Sequence, residues 1–112
     1  MAALIIYDGP GPLPKSATFT APLDGPAVFA LSGTARTSGA PCIVEVSLSL
    51  DGALIGKPAL CWFNQNDFHM ALRPTYINVD NLTFGEHTIE ISNSGGQTIT
   101  DVNDYFQVVL LY

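Results

Sequence analysis

The sequence predicts an all-β fold, an antiparallel β-sandwich of jelly-roll type with about 8–10 short strands. Apolar runs of strand length alternate with turns rich in Gly, Pro and Asp along all 112 residues. No stretch repeats apolar residues at helical spacing over three turns. The length fits one domain, and no low-complexity linker divides the chain. We therefore expect a single jelly-roll domain spanning residues 1–112.

Nine segments carry the strand pattern, and each is bounded by residues that favour turns. They are residues 2–7, 17–21, 27–32, 42–50, 53–63, 68–72, 75–79, 87–92 and 105–112. The intervening turns contain Asp-Gly, Gly-Pro and Gly-Gly pairs, which either accept positive φ angles or remove a backbone donor. Many short strands at this spacing are typical of a sandwich and not of a propeller or a solenoid.

Residues 42–61 predict one β-hairpin. Its turn is Asp51-Gly52, the dipeptide that most readily supplies the positive φ angles of a two-residue type I′ loop. The first arm alternates, with Val44 and Leu48 on the face that should lie in the core.

The two cysteines of the chain lie near the ends of this hairpin. In an unbroken register Cys42 would face Cys61 at a Cα separation of about 5.5 Å, which is within disulfide range. A bulge near Lys57-Pro58 would move the two residues out of alignment. The pair is therefore interpreted either as a disulfide or as two free thiols.

The last strand is apolar on both faces. Seven of the eight residues in 105–112 are apolar or aromatic, so we expect this strand to be central in its sheet. The second sheet would cover one face and a neighbouring subunit the other. Phe106, Val108, Leu110 and Tyr112, or the alternate residues of the strand, are predicted to form this subunit interface.

Composition favours association and disfavours two classes of partner. Only 12% of residues are charged, against about 25% in typical domains, while 47% are hydrophobic. This excess suggests that other subunits cover part of the surface, although a tightly packed neutral β domain would have the same composition. With a net charge of −6 and only four Lys and Arg residues, nucleic acid and anionic membranes are not expected partners. No apolar run is long enough to span a bilayer.

The densest mix of aromatic and amide side chains begins at Trp62. An exposed indole can stack on a sugar ring while amides and a carboxylate bond its hydroxyls. The candidate ligand-binding residues are Trp62, Asn64, Asn66, Asp67 and His69. Alternatively, Trp62 and Phe68 are core residues and residues 64–67 form an ordinary turn.

Acidic residues cluster just before the last strand. Asp101, Asn103 and Asp104 offer carboxylate and amide oxygens of the kind that Ca²⁺ prefers, but the segment lacks a complete calcium-loop pattern. We therefore expect no cofactor, with calcium at these residues as the alternative. No nucleophile elbow, zinc-protease motif or phosphate loop is present, so no enzymatic activity is expected. His87 is interpreted as a half-exposed surface residue.

Four segments together resemble a known family. Residues 19–22 lead through a Gly into an aromatic strand, and residues 42–61 form a hairpin with cysteines near its ends. Residues 82–86 then enter a strand through Gly-Glu, and residues 105–112 form the apolar, aromatic last strand. In this order they resemble the jelly roll of tumour necrosis factors, complement globular heads and the caps of bacterial collagen-like proteins. The chain is shorter than typical members and carries no Gly-x-y stalk.

The resemblance implies a compact homotrimer that packs through aromatic-lined sheet faces, recognises ligands with exposed loops and performs no catalysis. The first hypothesis is therefore a non-enzymatic homotrimeric module, acting as a structural or ligand-presenting head for a protein or carbohydrate. The alternative is a carbohydrate-binding β-sandwich module of lectin type. Although the first seven residues lack the basic region of a signal peptide, an extracellular, cell-surface or virion-associated location is favoured.

Overall fold

The computed structural model describes residues 1–112 and contains nine strands. They are β1 (Ala3–Pro10), β2 (Lys15–Ala21), β3 (Gly25–Ala35), β4 (Cys42–Leu50), β5 (Ala53–Phe63), β6 (Met70–Ala71), β7 (Thr75–Leu82), β8 (Gly85–Ser94) and β9 (Tyr105–Leu111). Each of the nine predicted segments overlaps one of these strands, and the predicted all-β sandwich is confirmed. The chain forms no helix that is long and apolar enough to cross a membrane.

The strands form two antiparallel sheets. Sheet 1 has the order β1-β9-β3-β7, and the short β6 pairs with the far end of β3. Sheet 2 has the order β2-β8-β4-β5. Because the chain crosses repeatedly between the sheets, the inner faces of both contribute to one core of 20 buried apolar residues.

The hairpin of β4 and β5 forms as predicted near its turn. Asp51 and Gly52 have φ angles of 50° and 87°, as a type I′ loop requires. Val44, Val46 and Leu48 are fully buried, which confirms the predicted core face of β4.

Further from the turn, a bulge interrupts the hairpin. Leu48 pairs with Ile55, but Val46 pairs with Ala59 where an unbroken register would place Lys57. Residues 56–58 therefore bulge out of the ladder. Since the shift is an even number of residues, side chains beyond the bulge keep their alternation between core and solvent.

Gly56 is required at this bulge for two reasons. Its φ angle is 61°, which only glycine adopts without strain. A Cβ at this position would lie 2.7 Å from Cγ2 of Ile77 in β7, so the bulge also depends on a close approach between the two sheets.

The bulge corrects the predicted cysteine pairing. Cys42 faces Phe63, and Cys61 faces Val44. Both cysteines are free thiols, so of the two interpretations the structure agrees with free thiols and not with a disulfide. The reason is the shifted register, which offsets the two residues along the hairpin.

The last strand is central, as predicted, since β9 lies between β1 and β3. However, Phe106, Val108 and Leu110 are fully buried inside the single chain, and Tyr112 packs against the same core. The predicted subunit interface at these four residues is therefore wrong, because their side chains already contact the second sheet. The outward-facing residues of β9 are half-buried.

An ion pair joins the hairpin turn to β8. His87 donates from Nδ1 to Asp51 Oδ2 (2.6 Å) and from Nε2 to the Thr83 carbonyl oxygen (2.7 Å). Its side chain is only 11% exposed and stacks on Phe19, so it is not the half-exposed surface residue that we expected. The hydrogen bond from His87 and the backbone N–H of Thr88 lower the pKa of Asp51, and the bonds to Asp51 and Thr83 raise the pKa of His87.

These opposite shifts give stability a pH window. Because its pKa is raised, protonated His87 stabilises the fold at pH values below its ordinary pKa of 6.5, and this contribution is lost as pH rises through the raised pKa. The lowered pKa of Asp51 stabilises the fold above 3.8 and is lost as pH falls. We expect the difference in unfolding free energy between the native chain and His87→Gln to be largest between about pH 4 and about pH 6.5. Urea unfolding across pH measures it, with Glu86→Gln as control. A difference that stays constant up to about pH 9 contradicts the ion pair.

Candidate functional site

Trp62 lies on the outer face of sheet 2. Along β5, Ala59 and Phe63 are fully buried, so strand alternation turns Leu60 and Trp62 towards solvent. The Trp62 side chain is 60% exposed. It pairs across the ladder with Ile43, the one large apolar residue on the outer face of β4.

Five residues line a shallow, open depression around this indole, which we name the Trp62 platform. They are Ile43, Leu60, Cys61, Trp62 and Arg73. A hydrogen bond of 2.8 Å from the Arg73 backbone N–H to the Leu60 carbonyl oxygen holds the arginine beside β5. Burial raises the pKa of the Cys61 thiol above 9.0, so the sulfur stays neutral near neutral pH.

Arg73 is the polar group of the platform. All ion pairs of the chain involve Arg36, His69 or His87, so the guanidinium of Arg73 has no carboxylate partner. No acidic residue lines the platform. The site thus combines a flat aromatic surface with up to five uncommitted N–H donors.

None of the other predicted ligand-binding residues lines this depression. Asn66 accepts a hydrogen bond from the Ala40 backbone N–H (2.8 Å), Asp67 pairs with Arg36 (3.2 Å), and His69 turns towards the segment before β9. Asn64 is exposed and makes no side-chain hydrogen bond. The loop after β5 therefore uses the Asn66 amide and the Asp67 carboxylate for internal contacts.

His69 joins two of the three residues that we predicted as calcium ligands. Asp104 is 1% exposed and accepts hydrogen bonds from His69 Nδ1 (2.7 Å), Thr34 Oγ1 (2.9 Å) and the Asp101 backbone N–H (2.8 Å). His69 Nε2 lies 3.7 Å from Asp101 Oδ2. Together with Arg36, these groups form what we call the Asp104 cluster.

Donors within the chain already occupy the Asp104 cluster. The Asn103 backbone N–H and the Arg36 guanidinium lower the pKa of Asp101 below 3.8. Ligand atoms of His69, Asp101 and Asp104 lie within 4.8 Å of one another, as in a metal site. However, both oxygens of Asp104 already accept protein donors. A Ca²⁺ ion, which takes about six to eight oxygen ligands, would have to open these contacts. The expectation of no cofactor and its calcium alternative both stay predictions.

Sequence reasoning missed four of the five residues of the platform, and it considered one of these, Cys61, only as a disulfide partner. Arg73 was not considered, because its position beside β5 depends on the loop that follows this strand. Leu60 carried a signal in its spacing, since it lies two residues before Trp62 on the same strand. Ile43 carried a usable signal, since it is a large apolar residue on an otherwise polar strand face.

Comparisons with known proteins support the fold class. No protein-family model and no curated protein sequence matches the chain. Among solved structures, it is similar to the CBM36-1 domain of a multidomain xylanase from the hindgut metagenome of Trinervitermes trinervoides. The TM-score is 0.53 at 15% identity, with 99% of this chain and 97% of that chain covered.

Two larger enzymes contain a similar domain. A cycloisomaltooligosaccharide glucanotransferase from Paenibacillus sp. matches with a TM-score of 0.51 at 22% identity over 86% of this chain. A β-glucosidase from Paenibacillus barengoltzii matches with a TM-score of 0.54 at 11% identity over 96% of this chain. The chain spans only 12% and 10% of their lengths. At these identities the likeness supports the jelly-roll fold alone, and no tumour necrosis factor or complement-head family is shown.

Proposed function

We propose that the chain is a non-catalytic carbohydrate-binding module of lectin type. The exposure of Trp62 carries this proposal, because a core tryptophan was the alternative interpretation and its side chain is 60% exposed. A large indole on an open sheet face leaves apolar area in water, and a ligand that covers it recovers that free energy.

The chemistry of the platform suits a sugar ring. The C–H face of a pyranose packs on the indole and on the flanking Ile43 and Leu60 side chains. The Arg73 N–H groups are placed to donate to hydroxyl and ring oxygens at the edge of the sugar. Because the depression is shallow and open, it suits an internal segment of a polysaccharide better than an enclosed monosaccharide.

Two further observations support a non-catalytic role. Hydrolysis of a glycosidic bond generally uses a pair of carboxyl groups on either side of the bond, and no acidic residue lines the platform. The similar solved structures include a domain named as a carbohydrate-binding module, and that name describes that protein only. An extracellular or cell-surface location is part of this proposal.

Binding of insoluble polysaccharides tests the proposal. We expect the chain to bind at least one of cellulose, xylan and dextran, and Trp62→Ala to weaken that binding about tenfold or more. Arg73→Gln should weaken it by a smaller factor, because it removes donors and leaves the stacking surface. Phe84→Ala is the matched control, since Phe84 is a comparably exposed aromatic residue on the turn before β8.

The unfolding temperatures of these variants must stay close to that of the native chain, as expected for exposed side chains. Equal binding by the native chain and Trp62→Ala, or no binding to any of the polymers, contradicts the proposed function.

The homotrimer stays a prediction, and the alternate, outward-facing residues of β9 stay its predicted interface. Light scattering coupled to size exclusion measures it directly. A mass near three times the 11.9 kDa chain supports a trimer, and a mass of one chain contradicts it.

A further inference from the structure

A second groove lies on the outer face of sheet 1, on the other side of the sandwich from the Trp62 platform. We name it the Tyr76 groove. Seven residues line it: Ala30, Leu31, Ser32, Pro74, Thr75, Tyr76 and Gln107.

Strand pairing explains the shape of the groove. Tyr76 of β7 faces Ala30 of β3, and the small alanine side chain leaves a depression beside the tyrosine ring. The ring is 67% exposed, so most of its surface is free to contact a ligand. One row further along the sheet, Ser32 faces Gln107 of β9.

Two polar side chains of the groove are uncommitted, whereas the Thr75 hydroxyl donates to the Arg73 carbonyl oxygen. The Ser32 hydroxyl and the Gln107 amide make no side-chain hydrogen bond within the chain, in contrast to the fully bonded Asp104 cluster. Both side chains are half-buried, and they therefore present donors and acceptors beside an apolar ring.

The lining also limits the class of ligand. None of the seven residues is Asp, Glu, Lys or Arg, although the whole chain carries a net charge of −6. A charged ligand would find no counter-ion here, whereas a neutral pyranose would find a stacking ring, a hydroxyl and an amide.

We infer that the Tyr76 groove is a second saccharide-binding site, specific for neutral sugar units and independent of Trp62. The inference rests on the proposed function for its class of ligand. The two sites lie on opposite faces, so one module would hold two polysaccharide segments. They approach each other at one side of the sandwich, where Arg73 lines the platform and Pro74 lines the groove.

Nuclear magnetic resonance titration separates the two sites. The probes are cellohexaose, xylohexaose and isomaltohexaose, added to the ¹⁵N-labelled native chain and to Trp62→Ala. We expect at least one probe to shift the Gln107 side-chain amide and the Ser32 backbone amide in both proteins. In Tyr76→Ala the affinity measured from these shifts should fall about tenfold, while the Trp62 indole resonance still shifts.

Two further variants guard the result. Ser32→Ala should also weaken the shift of the Gln107 amide, and this change leaves the aromatic ring in place. Tyr105→Ala removes another half-exposed ring of sheet 1 outside the groove and should leave the shifts unchanged.

The outcomes are distinct for the two sites. If the Trp62 indole shifts and Gln107 and Ser32 do not, the second site is wrong and the proposed function stands. If Gln107 and Ser32 shift and the indole does not, the Trp62 platform is wrong and the second site stands. If neither the Trp62 indole nor the two groove amides respond to any probe, the Trp62 platform and the Tyr76 groove are both contradicted as binding sites.

Discussion

Replacing Phe106 with alanine should destabilise the folded chain by about 3–5 kcal/mol. The Phe106 ring is fully buried in the core, on a strand that is paired on both sides. It lies directly over Gly33 of β3, where a Cβ would come within 2.8 Å of Cε1 of the ring. The ring packs directly against the β3 backbone, which the sheet holds in place. The core can therefore collapse only partly into the space that the ring leaves.

Urea unfolding followed by circular dichroism measures this loss. Val109→Ala is the matched control, since Val109 lies on the same strand but faces outward and is half-buried. It should lose about 1 kcal/mol or less. Equal losses for the two variants would show that the two faces of β9 are equally buried and that the core assignment is wrong. The measurement also separates the core role of Phe106 from the subunit interface that its sequence pattern predicted.

Asp104→Ala should be the second most damaging substitution, with a loss of about 3 kcal/mol. Asp104 accepts three hydrogen bonds from three separate segments, through Thr34, His69 and the Asp101 backbone. Removing the carboxylate leaves these donors facing an apolar side chain, in a position that is closed to water.

Thermal and urea unfolding again provide the measurement, with Asp80→Ala as the control because Asp80 is exposed and unbonded on β7. Asp104→Asn should lose less than Asp104→Ala, since its amide keeps one acceptor. If Asp104→Ala and Asp80→Ala unfold alike, the Asp104 cluster does not stabilise the fold. The Asp104 carboxylate of the native chain would then be free to bind a cation, which favours the calcium interpretation.

Local sequence signals were sufficient for the strands but not for the whole register. The Asp51-Gly52 turn and the alternation of β4 depend on neighbouring residues, and both formed as predicted. The bulge at residues 56–58 depends on the contact between Gly56 and Ile77, which are 21 positions apart in the sequence and lie in opposite sheets. A pattern of alternating residues carries no information about such a contact.

The site was predicted in part for the same reason. Trp62 stood out by its residue type, and its neighbours in the sequence were taken as its partners in space. In the folded chain, Asp67 and His69 turn away to bond Arg36 and Asp104, and Arg73 returns to Trp62. The direction of a loop depends on which buried groups need hydrogen-bond partners, and these groups come from distant strands.

The bulge has a consequence for how the chain avoids aggregation. Strand β5 is an edge of its sheet, has 11 residues and exposes Leu54, Leu60 and Trp62. A long, flat and apolar edge is a template on which another chain can add a strand. Residues 56–58 interrupt it with a kink, a positive charge at Lys57 and a missing N–H donor at Pro58. The irregularity that separates the two cysteines thus also allows the protein to keep an exposed tryptophan on an open edge without offering that edge to its own copies.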